Sequence, residues 1–178
     1  FLHSSFSILH SSFSILHSQF FILFPFPLNI MDTFEERIII RALPDQIMPY
    51  LIEPELIELW SPTEVKVTLL SRRKTGPGTK FQFEFLEHGL DPITYVVVTQ
   101  TPTLLVCSFE GRMVGEDRWE LTKQRGNSTE LYNRMEFRAP DTLTWIGWKA
   151  AGRAIAFQTA REKMPLIKEV IEEACAKS

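Results

Sequence analysis

Cysteine is scarce in this chain. Only Cys107 and Cys175 occur among 178 residues, far apart and at no metal-ligand spacing. That excludes the disulfide framework of small secreted domains and points to a reducing, cytoplasmic compartment. Each thiol reads as a small apolar side chain. Positive charge is not in excess either. Lys and Arg number 19 against 22 Asp and Glu, a net charge of −3, so there is no basic field to attract nucleic acid or an anionic membrane surface. The sequence contains no Gly-x-Ser-x-Gly, no His-Glu-x-x-His and no phosphate loop. A nucleophile elbow, a zinc-protease helix and a nucleotide cradle are therefore missing, and the reading assigns no catalytic residue, cofactor or metal. No apolar stretch reaches the roughly 20 unbroken residues that stable membrane insertion requires.

The lack of charge is most complete at the start of the chain. Every Lys, Arg, Asp and Glu lies after Ile30, while the first thirty residues hold half of the phenylalanines and three of the four histidines. Phe6-Ser7-Ile8-Leu9-His10-Ser11-Ser12 is followed by the near copy Phe13-Ser14-Ile15-Leu16-His17-Ser18-Gln19, a seven-residue repeat. A coiled coil needs charged flanking positions and more heptads than this. A signal peptide needs a positive n-region, and Phe20 to Phe24 is a short apolar run stopped by Pro25 and Pro27. Because His3, His10 and His17 recur at the repeat interval, they carry no independent evidence for a metal site. Residues 1–30 are accordingly set apart as a non-native or disordered leader, in the favoured reading a translated tandem DNA repeat before a true start at Met31. A genuine tail is the alternative.

Residues 31–178 have ordinary globular composition and suffice for one domain with one core. Phe34 to Arg41, with Ile38-Ile39-Ile40, reads as a first strand. Pro44 opens a short helix on which Ile47 and Leu51 share a face, and Pro54 opens a second through Leu59. Alternation follows: Val65, Val67 and Leu69, the turn Gly76-Pro77-Gly78, then Phe81, Phe83 and Phe85. Further strands are expected at Ile93 to Gln100, Leu104 to Gly111, Arg118 to Lys123 and Thr129 to Phe137. Their short connections imply antiparallel pairing. Asp141 N-caps a helix predicted to run from Thr142 to about Ala176, kinked at Pro165.

The order strand, two short helices, six strands, long helix requires a strongly curved sheet. Pro54-Glu55-Leu56 with Trp60, the Gly-Pro-Gly-Thr turn before Phe81, Pro102 to Val106, Trp119-Glu120-Leu121 and the Gly126 to Leu131 turn resemble the START-like superfamily, also called SRPBCC. The polyketide cyclase/dehydrase-like and Hsp90-activator-like branches are the most similar. The resemblance covers nearly all of 31–178. It implies a Bet v 1-like helix-grip fold of class α+β: a curved seven-stranded antiparallel sheet, two short helices after strand 1, and a long C-terminal helix. A cavity for a hydrophobic or amphipathic ligand, such as a lipid, is implied between sheet and helix. No particular reaction is implied.

Small residues in the helix, Gly147, Ala150, Ala151, Gly152, Ala154 and Ala156, either leave such space or let the helix sit close to the sheet. Candidate lining residues are Trp60, Phe81, Phe83, Phe85, Tyr95 and Trp119, with core packing as the alternative for each. Met135, Ile146, Ala150 and Phe157 complete the set with Asn133. The last shares strand parity with Leu131, Met135 and Phe137, and its inward amide would meet a ligand carbonyl or hydroxyl, or a neighbouring backbone. Arg134 and Glu136 take the opposite parity and read as solvent-facing. His88, Glu87 and Asp91 read as turn residues. General acid/base work is left to scattered groups such as Tyr95 and Asn133 with water.

Binding or transport of a hydrophobic small molecule is the leading reading. A polyketide cyclase/dehydratase-like enzyme and a co-chaperone-like protein-binding module are the alternatives. Oligomeric state is left open. Intact-mass analysis of the natural protein should give a chain beginning at Met31, and a mature chain that retains the Phe-Ser repeats would contradict that start.

Overall fold

Alternation of large apolar and polar side chains produces seven strands, and turn chemistry sets where they end. The structure, a computed structural model, describes residues 31–61, 64–86 and 91–177, with all helical side chains except those at 142, 143, 150, 151, 155 and 156. The repeat in residues 1–30 and the turn residues Glu87 and His88 lie outside the described residues. The strands are β1 (Asp32–Ile40), β2 (Val65–Leu69), β3 (Lys80–Phe85), β4 (Ile93–Thr101), β5 (Leu104–Glu110), β6 (Val114–Lys123) and β7 (Thr129–Arg138). They form one sheet in the order β1-β7-β6-β5-β4-β3-β2, every pair antiparallel.

Strands β1 and β2, consecutive in sequence, are thus the two opposite edges. Three short helices join them: α1 (Pro44–Ile47), α2 (Pro49–Ile52) and α3 (Pro54–Glu58). A single helix across Ile47 and Leu51 was expected; instead Pro49 starts a new one. A proline has no N–H to continue the preceding ladder, whereas at a first helical position that donor is unused. Each short helix buries at least one large side chain, among them Ile47, Leu51 and Ile57.

Strand β6 begins four residues before the expected Arg118: Val114-Gly115-Glu116-Asp117 does not alternate in sequence, yet it pairs with β7 and β5. Gly115 is required there. A Cβ on it would lie 2.1 Å from the Glu136 carbonyl oxygen and 2.8 Å from the Phe109 ring. In the β2–β3 turn, Gly76 and Gly78 have φ of 84° and 87°, values that favour residues without a side chain.

The C-terminal helix comes in three parts: α4 (Thr142–Gly147), a π-helical turn (Trp148–Gly152) and α5 (Arg153–Ala176). Asp141 caps α4, its Oδ1 accepting from the Thr144 N–H at 2.9 Å. One continuous α-helix was expected. The π turn inserts an extra residue and shifts the inward face of everything before it. Helix α5 continues through Pro165, which lies on its exposed side.

Helix α5 packs chiefly against β1. Met164, Ile167 and Ile171, at helical spacing, are at most 1% exposed and meet Ile40, Ile47, Ile57 and Leu131 in the main core. A smaller cluster at the other end gathers Phe34, Phe109 and Phe137 around Trp148 and Phe157. At the edge of the sheet, Glu172 accepts from the Arg41 backbone N–H at 2.8 Å and from its guanidinium at 2.9 and 3.2 Å. Lys168 lies 3.2 Å from the same carboxylate.

Burial opposes ionisation of Glu172, but the Arg41 and Lys168 contacts outweigh it and hold the pKa down at about 2, against 4.5 ordinarily. The stability advantage of wild type over Glu172→Gln should therefore be complete above about pH 4.5 and close as the pH falls towards about 2. Denaturant unfolding across that range measures it, and a pH-independent gap would contradict the clamp.

Candidate functional site

The first half of the C-terminal helix touches the inward face of the sheet through Trp148 and Phe157, which meet Phe137 and Phe34, and elsewhere stands off from it. Between them lies a cavity of about 1130 Å³. Its far wall is aromatic: Tyr95 stacks on Phe81 at 5.7 Å and on Phe109 at 5.2 Å between ring centroids, with Phe83 tilted against it at 4.9 Å. On the near side Phe34 meets Phe157 edge-on at 5.9 Å, and Trp60 meets Trp119 at 6.2 Å. Asp91 and Arg112, an ion pair at 3.8 Å whose side chains are 79% and 59% exposed, are among the residues that line the cavity. The π turn forms part of the rim. There Trp148 Nε1 donates to Asp32 at 2.6 Å and Arg153 Nε donates to the other oxygen at 3.0 Å.

Polar groups on this wall are few and close together. Asp117 on β6 is 5% exposed and Lys163 on α5 is 8% exposed, and both line the cavity. Asn133 Nδ2 donates to Asp117 Oδ1 at 2.5 Å and to the Arg118 carbonyl at 3.1 Å. The Lys163 ammonium lies 4.6 Å from the Trp119 ring centroid and 5.8 Å from that of Phe34. Among the described residues it makes no hydrogen bond and no ion pair within contact distance. Burial lowers its pKa, and the negative charges of Asp117 and Glu36 act against that.

Burial also drives the Tyr95 hydroxyl well above its usual range, with Asp117 and Cys107 adding to the shift. The Cys107 thiol is raised by burial and then by Asp117. At neutral pH both therefore stay protonated. The wall offers a phenol donor, a carboxylate acceptor and an amine against an otherwise apolar surface. Among the described residues no three His, Cys, Asp or Glu side chains group to hold a metal.

Trp60, Phe81, Phe83 and Phe85 line this cavity, as do Tyr95, Trp119, Met135 and Phe157. Asn133 is fully buried but is not among the lining residues; its amide is committed to Asp117 and Arg118, and its Oδ1 has no partner among the described residues. Ile146 is 49% exposed and is likewise not a lining residue, because the π turn moves the inward position on to Gly147 and Trp148. The Ala150 side chain lies outside the described ones. Arg134 and Glu136 sit together on the opposite face, paired with each other.

Sequence reasoning passed over Asp117 and Lys163. Both left a positional signal: Asp117 shares strand parity with Trp119, and Lys163 falls on the helical stripe of Ala160, Met164 and Ile167.

Comparison with known proteins agrees with this geometry. A family model described as polyketide cyclase / dehydrase and lipid transport matches residues 31–163. Among curated proteins none matches. Among solved structures, the Zhui aromatase/cyclase from Streptomyces sp. R1128 superposes with a TM-score of 0.63 at 13% identity, covering 80% of this chain and 94% of its own. Norcoclaurine synthase from Thalictrum flavum, in complex with dopamine and hydroxybenzaldehyde, gives 0.59 at 14% identity, with 81% and 88% covered. Protein TTHA0849 from Thermus thermophilus gives 0.65 at 12% identity, with 80% and 99% covered. At these identities the likeness establishes the helix-grip fold.

The Asn133–Asp117 bond is the polar contact on which the wall depends. Asn133→Ala should lower stability by about 1–3 kcal/mol, because a buried carboxylate loses its donor. Adding Asp117→Asn should recover part of that loss in the same denaturation measurement. A cost below about 0.5 kcal/mol for the single change would contradict the assignment.

Proposed function

Because the chain belongs to the polyketide cyclase / dehydrase and lipid transport family, we propose that it binds a hydrophobic or amphipathic small molecule between its sheet and its C-terminal helix, as a carrier or store. The observation that supports this reading most is the cavity itself. Its volume of about 1130 Å³ exceeds the roughly 300–1,000 Å³ usual for small-molecule sites. Aromatic walls with few polar groups suit a ligand that is mostly apolar and is oriented by one or two hydrogen bonds. Trp60, Phe81, Phe83, Phe85, Tyr95, Trp119, Met135 and Phe157 are the contacts we assign to it. No helix among the described residues is long and apolar enough to cross a membrane. The unpaired Cys107 and Cys175 support a reducing, cytoplasmic setting.

A second reading, an enzyme of the cyclase/dehydratase kind, is favoured by Tyr95, Asp117 and Lys163 facing one cavity. Convergent titratable groups of this sort are what acid/base chemistry needs. Both readings place the ligand in the same space.

Titration with an apolar fluorescent dye such as Nile red should give saturable one-to-one binding. Ala160→Trp, which projects an indole into the cavity from α5, should weaken that binding at least about tenfold, some 1.4 kcal/mol, with an unchanged circular dichroism spectrum. Equal affinity in the variant would contradict the placement of the site.

A further inference from the structure

Lys163 is the group in the cavity that ligand binding by shape alone does not require. Burying a lysine is costly, and where no partner needs its charge an apolar side chain of similar volume packs without that cost. The contact with the negative face of the Trp119 ring stabilises the cation, but it provides no hydrogen-bond acceptor. Asp117 faces Lys163 from β6 and Glu36 from β1, neither within ion-pair distance among the described residues. The amine is held at the cavity surface between two rings, with its lone pair or its N–H bonds directed at no protein acceptor among the described residues.

The neighbours also select the chemistry of what it meets. Two carboxylates already flank the amine, so a third anion is disfavoured, whereas a neutral carbonyl is not. Asp117 is fixed through one oxygen by Asn133, and its other oxygen takes no hydrogen bond among the described residues.

Resting on the reading of this cavity as a ligand site, we propose that Lys163 is a nucleophilic amine that captures an apolar aldehyde or ketone as a Schiff base, with Asp117 relaying the protons. The Nζ lone pair forms the N–C bond as the carbonyl π bond breaks. Asp117 takes one proton from the nitrogen and passes it to the carbonyl oxygen, which becomes a hydroxyl. The same carboxylate then carries the second N–H proton to that hydroxyl as the C–O bond breaks, so that water leaves as the C=N bond forms. Amine plus carbonyl becomes imine plus water, and nothing is oxidised or reduced. Burial favours the unprotonated amine that the first step needs. The Tyr95 hydroxyl, which stays protonated, supplies a donor in the same space for the carbonyl oxygen.

The test incubates the full protein with a methoxynaphthaldehyde and sodium cyanoborohydride near neutral pH, then maps the reduced adduct by intact-mass and peptide mass spectrometry. One adduct is expected, at Lys163, forming at least about tenfold faster than on any surface lysine. It should be lost in Lys163→Arg, which keeps a cation over Trp119, and in Lys163→Met. Labelling spread over surface lysines, or an undiminished adduct in Lys163→Arg, overturns the proposal. Methoxynaphthalene, which has no carbonyl, is titrated in parallel against wild type. If it binds while no adduct forms at Lys163, the imine fails and the cavity reading stands; if neither compound engages the protein, both fail.

Discussion

Ile167 and Ile171, with no exposed surface, pin the C-terminal half of α5 to the sheet, and the rest of the molecule follows from how far that contact reaches. Below it, Ile40, Ile47, Ile57 and Leu131 complete a close-packed aliphatic core of the kind that tolerates no void. Above it, Trp148 and Phe157 still touch Phe137 and Phe34, but beside them the helix presents Ala160, Gly152 and Gly147 to the cavity, residues too small to fill it. A Cβ built on Gly147 meets nothing within 4 Å. The three short helices, each restarted by a proline, bridge the two edges of the sheet, so the closed end is filled and the other stays open.

What lines the open end is decided by strand parity. The inward positions carry rings from β3, β4 and β5, and these hold one another in stacked and edge-on pairs worth about 0.5–1.5 kcal/mol each beyond area burial. Rings locked against rings keep a wall in place when nothing fills the space before it. Into this wall the fold sets one buried polar chain, Arg118 carbonyl to Asn133 to Asp117, with Lys163 facing it from the helix. Low polarity around these groups makes each hydrogen bond more consequential and each unmet one more costly. The bound molecule that the cavity is proposed to hold is what would meet them.

Most of the architecture could be read from residue order. Alternation at Val65 to Leu69 and Phe81 to Phe85, the glycine turn between them and the Asp141 cap each specify local structure by themselves. The errors have local physical causes. Pro49 splits a helix that apolar spacing alone would have run through. The strand containing Gly115 starts early because its first residues pair with β5 and β7, partners that no local alternation reveals. The π turn at Trp148–Gly152 leaves no signature in residue type, yet it carries Ile146 away from the cavity and brings Gly147 and Trp148 in. Asp117 and Lys163 were overlooked because a charged residue within an apolar pattern reads as an interruption. Their burial depends on partners from β7, β1 and β6 that no local window contains.

The space between α5 and the sheet, bounded by Tyr95, Trp119 and Lys163, is proposed to accept the ligand. A crystal structure of the protein soaked with a bromonaphthalene tests it most directly. Anomalous bromine density between α5 and the aromatic wall, beside Trp119 and Tyr95, is the predicted result. Bromine only on the outer surface, with α5 closed onto the sheet and side chains filling the space, would contradict the account.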